Sequence, residues 1–215
     1  MSHDILFDLD GTLIDSSPGI LASLARTLAA HGISPQMPLE PSLIGPPLAT
    51  TLRQASGVTD EAALARLIDT FKTDYDTQGY RATEMFPGVA SVLAQLAAAG
   101  ARLYIVTNKR MIPTRRILDA LGLAQHFTGI HTRDETDPPA SSKAALTARL
   151  LTRYGIDPRR ACFVGDTRED AAAAQENNLP FIHAAYGYGA ARLPAHAALH
   201  RFAELPGVVD ALLRT

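Results

Sequence analysis

The sequence predicts an α/β fold in which a Rossmann-like parallel sheet forms the core and an all-helical domain is inserted near the N-terminus. Three observations support this prediction. Short apolar runs alternate with helical patterns through the second half of the chain, which is typical of parallel strands covered on both faces. A similar apolar run opens the chain at residues 5–7. The stretch between them, residues 18–80, contains only helical patterns.

The strands of the core are predicted from apolar runs that end at turn signals. The first run ends at Asp8-Leu9-Asp10-Gly11, where Asp-Gly favours a turn. The patterns that follow predict further strands at 102–107, 127–131, 161–164 and 181–184, the last of the sheet. They predict helices between these strands at 89–99, 113–121, 142–154 and 168–177.

The inserted domain is predicted from helical periodicity. Ile20, Leu24 and Leu28 recur at the spacing of one helical face, which predicts a helix over 18–31. Two more helices are expected at 48–56 and 61–75, and Asp60 is a suitable N-cap for the second. We therefore expect an α/β core made of residues 1–14 and 84–215, with a helical domain of residues 15–83 inserted into it.

The composition is that of a globular protein. The chain has 215 residues, of which 47% are hydrophobic and 20% charged, and this balance argues against disorder. A net charge of −2 lacks the positive excess of a nucleic-acid-binding protein. Cys162 is the single cysteine, which excludes an internal disulfide and a cysteine zinc cluster. No apolar run approaches the ~18 residues of a membrane span. We expect a cytoplasmic monomer or homodimer without nucleic-acid or membrane partners.

Polar side chains stand where three of the predicted strands end. Asp8 and Asp10 follow the first strand, Thr107 and Asn108 lie at the end of the second, and Asp166 follows the fourth. Ligands of open α/β sheets bind outside the carboxyl ends of the strands. We therefore expect these five side chains to meet at one rim of the sheet.

Lys143 and Asp170 complete this set of residues. Lys143 opens the helix before the fourth strand, and Asp170 lies in the helix after it. Each has a simpler interpretation, since Thr167 and Asp170 fit a helix capping box and most lysines are solvated. All of these residues nevertheless occur together, in order along the chain at strand ends and in helix starts, and this conjunction favours a functional site. Carboxylates, small hydrogen-bonding groups and a lysine suit a hard cation and a phosphate, and oxygen ligands select Mg²⁺.

Four segments resemble the motifs of the haloacid dehalogenase superfamily. In chain order they are Asp8-Leu9-Asp10-Gly11-Thr12, Thr107-Asn108, Lys143 and Gly165-Asp166-Thr167-Arg168-Glu169-Asp170. The helical insertion resembles the helical cap of that superfamily. Segments 15–18, 44–48 and 86–89 further resemble its phosphoglycolate phosphatase branch. The family often has Lys-Pro at the third motif, whereas Ala144 follows Lys143 here.

The resemblance implies a phosphatase that acts on a small phosphorylated metabolite similar to phosphoglycolate. Asp8 would attack phosphorus and form an aspartyl-phosphate. Asp10 would protonate the leaving alkoxide and then help to deprotonate the attacking water. Thr107, Asn108 and Lys143 would stabilise the equatorial oxygens of the phosphoryl group.

The resemblance also implies Mg²⁺ as the cofactor. Asp8, Asp166 and the main-chain carbonyl of Asp10 would hold the ion, and Asp170 would support its coordination shell through water. Lys109 follows Asn108 directly and is a second candidate for the phosphate-binding lysine. We expect Lys109 at a more open position facing the cap, where it would act mainly on substrate binding.

The same residues bear on three other activities. Dehalogenases resemble this pattern but carry an aromatic residue in place of Asp10, since they have no alkoxide to protonate. A 5′-nucleotidase of the same superfamily is the alternative enzyme, because residues 44–48 also resemble that subgroup. A phosphoacceptor signalling module is the alternative from another class. The Asp-x-Asp spacing of Asp8 and Asp10 and the large helical insertion both disfavour it.

Overall fold

A computed structural model describes residues 3–189 and 193–213 of the chain. The strands are β1 Asp4–Phe7, β2 Ile14–Asp15, β3 Glu84–Met85, β4 Arg102–Thr107, β5 Gly129–Thr132, β6 Ala161–Gly165, β7 Phe181–Ala184 and β8 Ala197–Leu199. The α-helices are α1 Ser17–Ala30, α2 Leu48–Ser56, α3 Glu61–Thr77, α4 Val89–Ala98, α5 Met111–Ala120, α6 Lys143–Tyr154, α7 Arg168–Glu176 and α8 Leu205–Leu213.

Six of the strands form one parallel sheet in the order β5-β4-β1-β6-β7-β8. Strand β1 lies between β4 and β6, and its last residue, Phe7, is in register with Ile105 and Val164. The carboxyl ends of β1, β4 and β6 therefore meet at the same rim. The predicted parallel α/β core is confirmed.

Apolar clusters cover both faces of the sheet. On one face, residues of β1 pack with Leu93 of α4, Ile117 of α5 and Val209 of α8. On the other face, Leu6 and Tyr104 pack with Leu146 and Leu150 of α6 and with residues of α7. A sheet buried in this way explains why its strands appear in the sequence as continuous apolar runs.

The prediction that residues 181–184 form the last strand is wrong, because β8 extends the sheet beyond β7 and α8 follows it. Strand β8 has three residues, Ala197, Ala198 and Leu199, which are too few to produce an alternating pattern. Helix α8 begins with Leu-Pro-Gly, residues that normally indicate a turn. Proline is nevertheless tolerated there because the first turn of a helix needs no amide donor.

Helices α1, α2 and α3 form the helical segment, residues 17–82, with an apolar cluster of its own. Leu24, Leu52, Leu67 and Phe71 are buried in this cluster. The two chain connections to the segment pass through the antiparallel pair of β2 and β3, in which Ile14 faces Met85. A domain boundary at these connections stays a prediction. Among the described residues, no helix has the length and apolar character needed to cross a membrane.

Candidate active site

The loop after β1 places Asp8 and Asp10 at the rim, both buried. The Asp8 amide donates to the Val164 carbonyl at 2.9 Å and so continues the sheet by one more bond. At Gly11 the backbone has φ of +83°, and a Cβ there would lie 2.3 Å from Asp166 Oδ2. Only glycine fits this close approach, which brings the first loop against the end of β6.

Lys143 occupies the first position of α6 and is buried between two carboxylates. Its Nζ lies 2.7 Å from Asp8 Oδ1 and 2.6 Å from Asp170 Oδ1. Burial alone would lower the pKa of Lys143, but the charges of Asp170 and Asp8 outweigh it and raise the pKa above its usual value. Lys143 is therefore a fixed cation at the rim.

Asp8, Asp166 and Asp170 form an acidic trio whose nearest carboxylate oxygens all lie within 4.8 Å of one another. Burial, followed by the charge of Asp170, raises the pKa of Asp166 to about 7. The same two causes, in the same order, raise the pKa of Asp8 well above its usual value. When all three are ionised, their negative charge exceeds what Lys143 offsets. A hard divalent cation fits this all-oxygen donor set.

Asp170 serves the helix and the site at the same time. Its Oδ2 accepts bonds from the Thr167 amide at 2.9 Å and the Thr167 hydroxyl at 2.6 Å, in a capping box at the start of α7. Its Oδ1 accepts the bond from Lys143. The helix capping box and the functional site are therefore compatible interpretations of this segment, because each uses a different carboxylate oxygen of Asp170.

Asp10 lies outside the acidic trio and contacts the helical side of the site. Its Oδ1 accepts bonds from the Ser16 hydroxyl and from Lys109 Nζ, the latter at 2.8 Å. Lys109 Nζ also lies 4.8 Å from the centre of the Tyr75 ring in α3. The side chain of Lys109 is only 6% exposed. The expected open position of Lys109 is wrong, because the Tyr75 ring of α3 lies against its ammonium group and Asp10 pairs with it.

Thr107 and Asn108 end β4 beside Asp8. The Thr107 hydroxyl accepts a hydrogen bond from the Lys109 amide at 3.1 Å and so shapes the turn. Asn108 Nδ2 donates to the Gly45 carbonyl at 2.9 Å and to Glu169 Oε2 at 2.5 Å. Asn108 therefore connects β4 to a loop of the helical segment and to α7.

The loop after β7 contributes contacts that the sequence analysis did not find. The Tyr188 and Gly189 amides donate to Asp166 Oδ2 at 2.8 and 3.2 Å. The Tyr188 hydroxyl donates to Asp15 Oδ1 at 2.7 Å. A Cβ at Gly187 would lie 2.4 Å from that of Asp166, so this position requires a residue without a side chain. The alternation of tyrosine and glycine at 186–189 was the sequence signal that could have identified this loop.

A cavity of about 650 Å³, part of it open to solvent, lies between the rim and the helical segment. Asp8 and Asp10 form its floor with Thr107 and Asn108. The candidate residues other than Lys143, Asp166 and Asp170 line this cavity directly. Those three lie beneath it, around Asp8.

The chain belongs to the haloacid dehalogenase-like hydrolase family, whose model matches residues 5–184. The family resemblance stated from the sequence is thereby confirmed. The curated members to which the chain is similar include phosphatases.

Three relatives show how the similarity is distributed. Tyrosine-protein kinase PtkA of Mycobacterium tuberculosis is 36% identical over 188 residues, which cover 87% of this chain but 63% of PtkA. A solved PtkA structure has a TM-score of 0.82 at 31% identity and covers 97% of this chain and 98% of that one. A 5′-nucleotidase of Pseudomonas aeruginosa is 31% identical, covering 97% and 95%. A phosphoglycolate phosphatase of Rhodospirillum rubrum is 34% identical, covering 95% and 90%.

Replacement of Lys143 by methionine should destabilise the fold in the absence of divalent cations. The variant leaves Asp8 and Asp170 buried without their partner, and loss of one member of a buried ion pair costs about 3–5 kcal/mol. Urea unfolding at pH 7 in EDTA measures the difference. Lys72→Met is the matched control, since Lys72 is 42% exposed and lies 4.0 Å from Asp69. Equal stability of the two variants would contradict the assigned role of Lys143.

Proposed function

We propose that the chain is a Mg²⁺-dependent phosphatase that hydrolyses a small phosphomonoester through an aspartyl-phosphate at Asp8. The observation that carries the proposal is the position of Asp8. Its carboxylate lies at the floor of the cavity, is held by Lys143, and shares the acidic trio with Asp166 and Asp170. A nucleophile, a fixed cation and a cation-binding donor set thus meet where a ligand can enter.

Asp8 is the proposed nucleophile. A carboxylate is a sufficient nucleophile when ionised and needs no separate base to activate it. The bond from Lys143 to Asp8 Oδ1 favours the ionised form and fixes the orientation of the group. The second carboxylate oxygen would form the bond to phosphorus while the ester oxygen leaves.

Asp10 is the proposed general acid and base. It lines the cavity two residues after Asp8, and the Ser16 hydroxyl and Lys109 fix its Oδ1. Asp10 would give a proton to the leaving ester oxygen and later take one from the water that hydrolyses the aspartyl-phosphate. Thr107, Asn108 and Lys143 would stabilise the charge on the phosphoryl oxygens.

Mg²⁺ is the proposed cofactor. Asp8, Asp166 and the main-chain carbonyl of Asp10 would hold it, with Asp170 supporting the shell. When bound, the ion supplies positive charge between the carboxylate nucleophile and the phosphate dianion, which otherwise repel each other. The clustering of carboxylate oxygens from Asp8, Asp166 and Asp170 supports this assignment, because Mg²⁺ prefers oxygen ligands.

Residues 15–83 are the proposed cap domain. The helical segment has its own apolar cluster and joins the core through the connections at β2 and β3. Its residues form one wall of the cavity, and the rim forms the other. Closure of such a cap would exclude water from the reacting group and position the leaving group.

Phosphoglycolate is the first substrate to test, because the sequence resembles that branch and a relative carries that name. A nucleoside 5′-monophosphate is the alternative, by the same kind of support. The name of PtkA states transfer to tyrosine. We propose water as the acceptor of the phosphoryl group, so release of inorganic phosphate distinguishes hydrolysis from phosphoryl transfer to tyrosine.

The Asp8→Asn variant should lose turnover of every phosphomonoester that the wild type hydrolyses. We expect kcat to fall by at least about a thousandfold, because loss of a covalent nucleophile removes most of the catalysis. Phosphate release measures kcat, and mass spectrometry excludes deamidation back to aspartate. Asp119→Asn, an exposed position of α5, is the control and should retain full activity. Substantial turnover by Asp8→Asn would mean that another group attacks phosphorus.

Magnesium should stabilise the wild type even without substrate. At a concentration 100-fold above its Kd, a ligand specific for the native state adds about 2.7 kcal/mol. Thermal unfolding with Mg²⁺ and with EDTA measures this effect, which Asp166→Asn should abolish and Asp119→Asn should preserve. Ca²⁺ should restore turnover poorly, because its larger and more flexible shell suits the reaction geometry less well. Full activity in EDTA would contradict the metal assignment.

A further inference from the structure

The wall of the cavity above Asp8 is apolar. Ile20, Leu24 and Leu48 contribute aliphatic side chains to it, and Phe71 and Tyr75 contribute aromatic ones. The rings of Phe71 and Tyr75 stack with their centres 5.4 Å apart. The phosphate would lie against the rim, so this wall faces the leaving group of the substrate.

The cations that line the cavity already have partners of opposite charge. Arg110 donates to both carboxylate oxygens of Asp76, at 2.9 and 2.5 Å. Lys109 is paired with Asp10 at 2.8 Å. Among the described residues of the lining, Arg110 and Lys109 are the only arginine and lysine. The lining therefore offers no uncommitted positive charge to the leaving group.

This arrangement discriminates between leaving groups by their charge. A carboxylate placed against the apolar wall would lose its hydration without gaining a partner, which is strongly unfavourable. A hydrocarbon ring in the same place would remove apolar surface from water and contact the aliphatic and aromatic side chains of the wall. The wall thus favours an uncharged ring.

We infer that the preferred substrates are phosphate monoesters whose leaving group is an uncharged, apolar ring. The inference rests on the proposed phosphatase function and specifies its substrate class. It places the carboxylate-bearing phosphoglycolate among the poor substrates. Asp76 acts as a specificity residue, because it offsets the positive charge of the Arg110 guanidinium that a substrate carboxylate would need.

Two non-hydrolysable phosphonates test the inference on the wild type. Benzylphosphonate and phosphonoacetate carry the same phosphonomethyl group and differ in bearing a phenyl ring or a carboxylate. Calorimetric titration in Mg²⁺ should give a Kd at least tenfold lower for benzylphosphonate. Equal affinities, tighter binding of phosphonoacetate, or no binding of benzylphosphonate would each overturn the inference.

Turnover measurements test the proposed phosphatase function separately from this binding result. Benzyl phosphate and phosphoglycolate are both esters of primary alcohols, so their comparison depends on the leaving-group pocket more than on bond strength. Preferred binding of benzylphosphonate without hydrolysis of any phosphomonoester would support the pocket assignment and refute the phosphatase proposal. A kcat/KM that favours phosphoglycolate would support the phosphatase and overturn the inference. A kcat/KM for a nucleoside monophosphate tenfold above that for benzyl phosphate would overturn it as well.

The Asp76→Asn variant tests the role of the Arg110 pair. Loss of the aspartate charge frees the guanidinium, so phosphonoacetate should bind at least fivefold more tightly while the Kd of benzylphosphonate stays within twofold. Asp69→Asn makes the same exchange on the same helix at a position 79% exposed and outside the cavity lining, and should change neither Kd. Unchanged phosphonoacetate binding in Asp76→Asn would show that the pair does not exclude carboxylates.

Discussion

The buried contact of Lys143 with Asp8 and Asp170 is the interaction on which the rest of the site depends. Carboxylates this close repel one another, and their burial makes the ionised forms less favourable still. The single lysine offsets part of that charge and fixes the positions of two of them. The remaining carboxylate oxygens form the donor set in which we propose that a divalent cation binds. Each partner comes from a different element, so the sheet and its flanking helices must be in place before the site exists.

The helical segment completes the site from the other side. Tyr75 lies beside Lys109, which holds Asp10, and the Gly45 carbonyl accepts a bond from Asn108. The residues assigned to proton transfer and phosphate binding are thus in contact with the same segment that supplies the apolar wall. Recognition of the leaving group and organisation of the rim are therefore coupled through direct contacts.

The sequence was sufficient for the parts of the site that depend on sheet topology. Asp8 and Asp166 follow strands, and parallel strands bring their carboxyl ends to one rim, so their proximity could be inferred without coordinates. Lys143 could be placed by its order among the motifs. The burial of Lys109 could not be inferred, because it depends on a contact with Tyr75 of α3, a residue distant in the chain. Tyr188 likewise binds Asp166 by its backbone amide, which any residue type except proline carries. Strand β8 was missed because three residues are too few to produce a periodic signal.

The proposed covalent bond between Asp8 and phosphorus can be trapped chemically during turnover. Borohydride reduces an acyl phosphate to an alcohol, so an aspartate trapped during turnover becomes homoserine, which peptide mass spectrometry detects. We expect homoserine at position 8 in wild-type protein treated with a substrate and Mg²⁺, and none when the substrate is omitted. Turnover under trapping conditions with residue 8 unmodified, or with the modification at another aspartate, would contradict it.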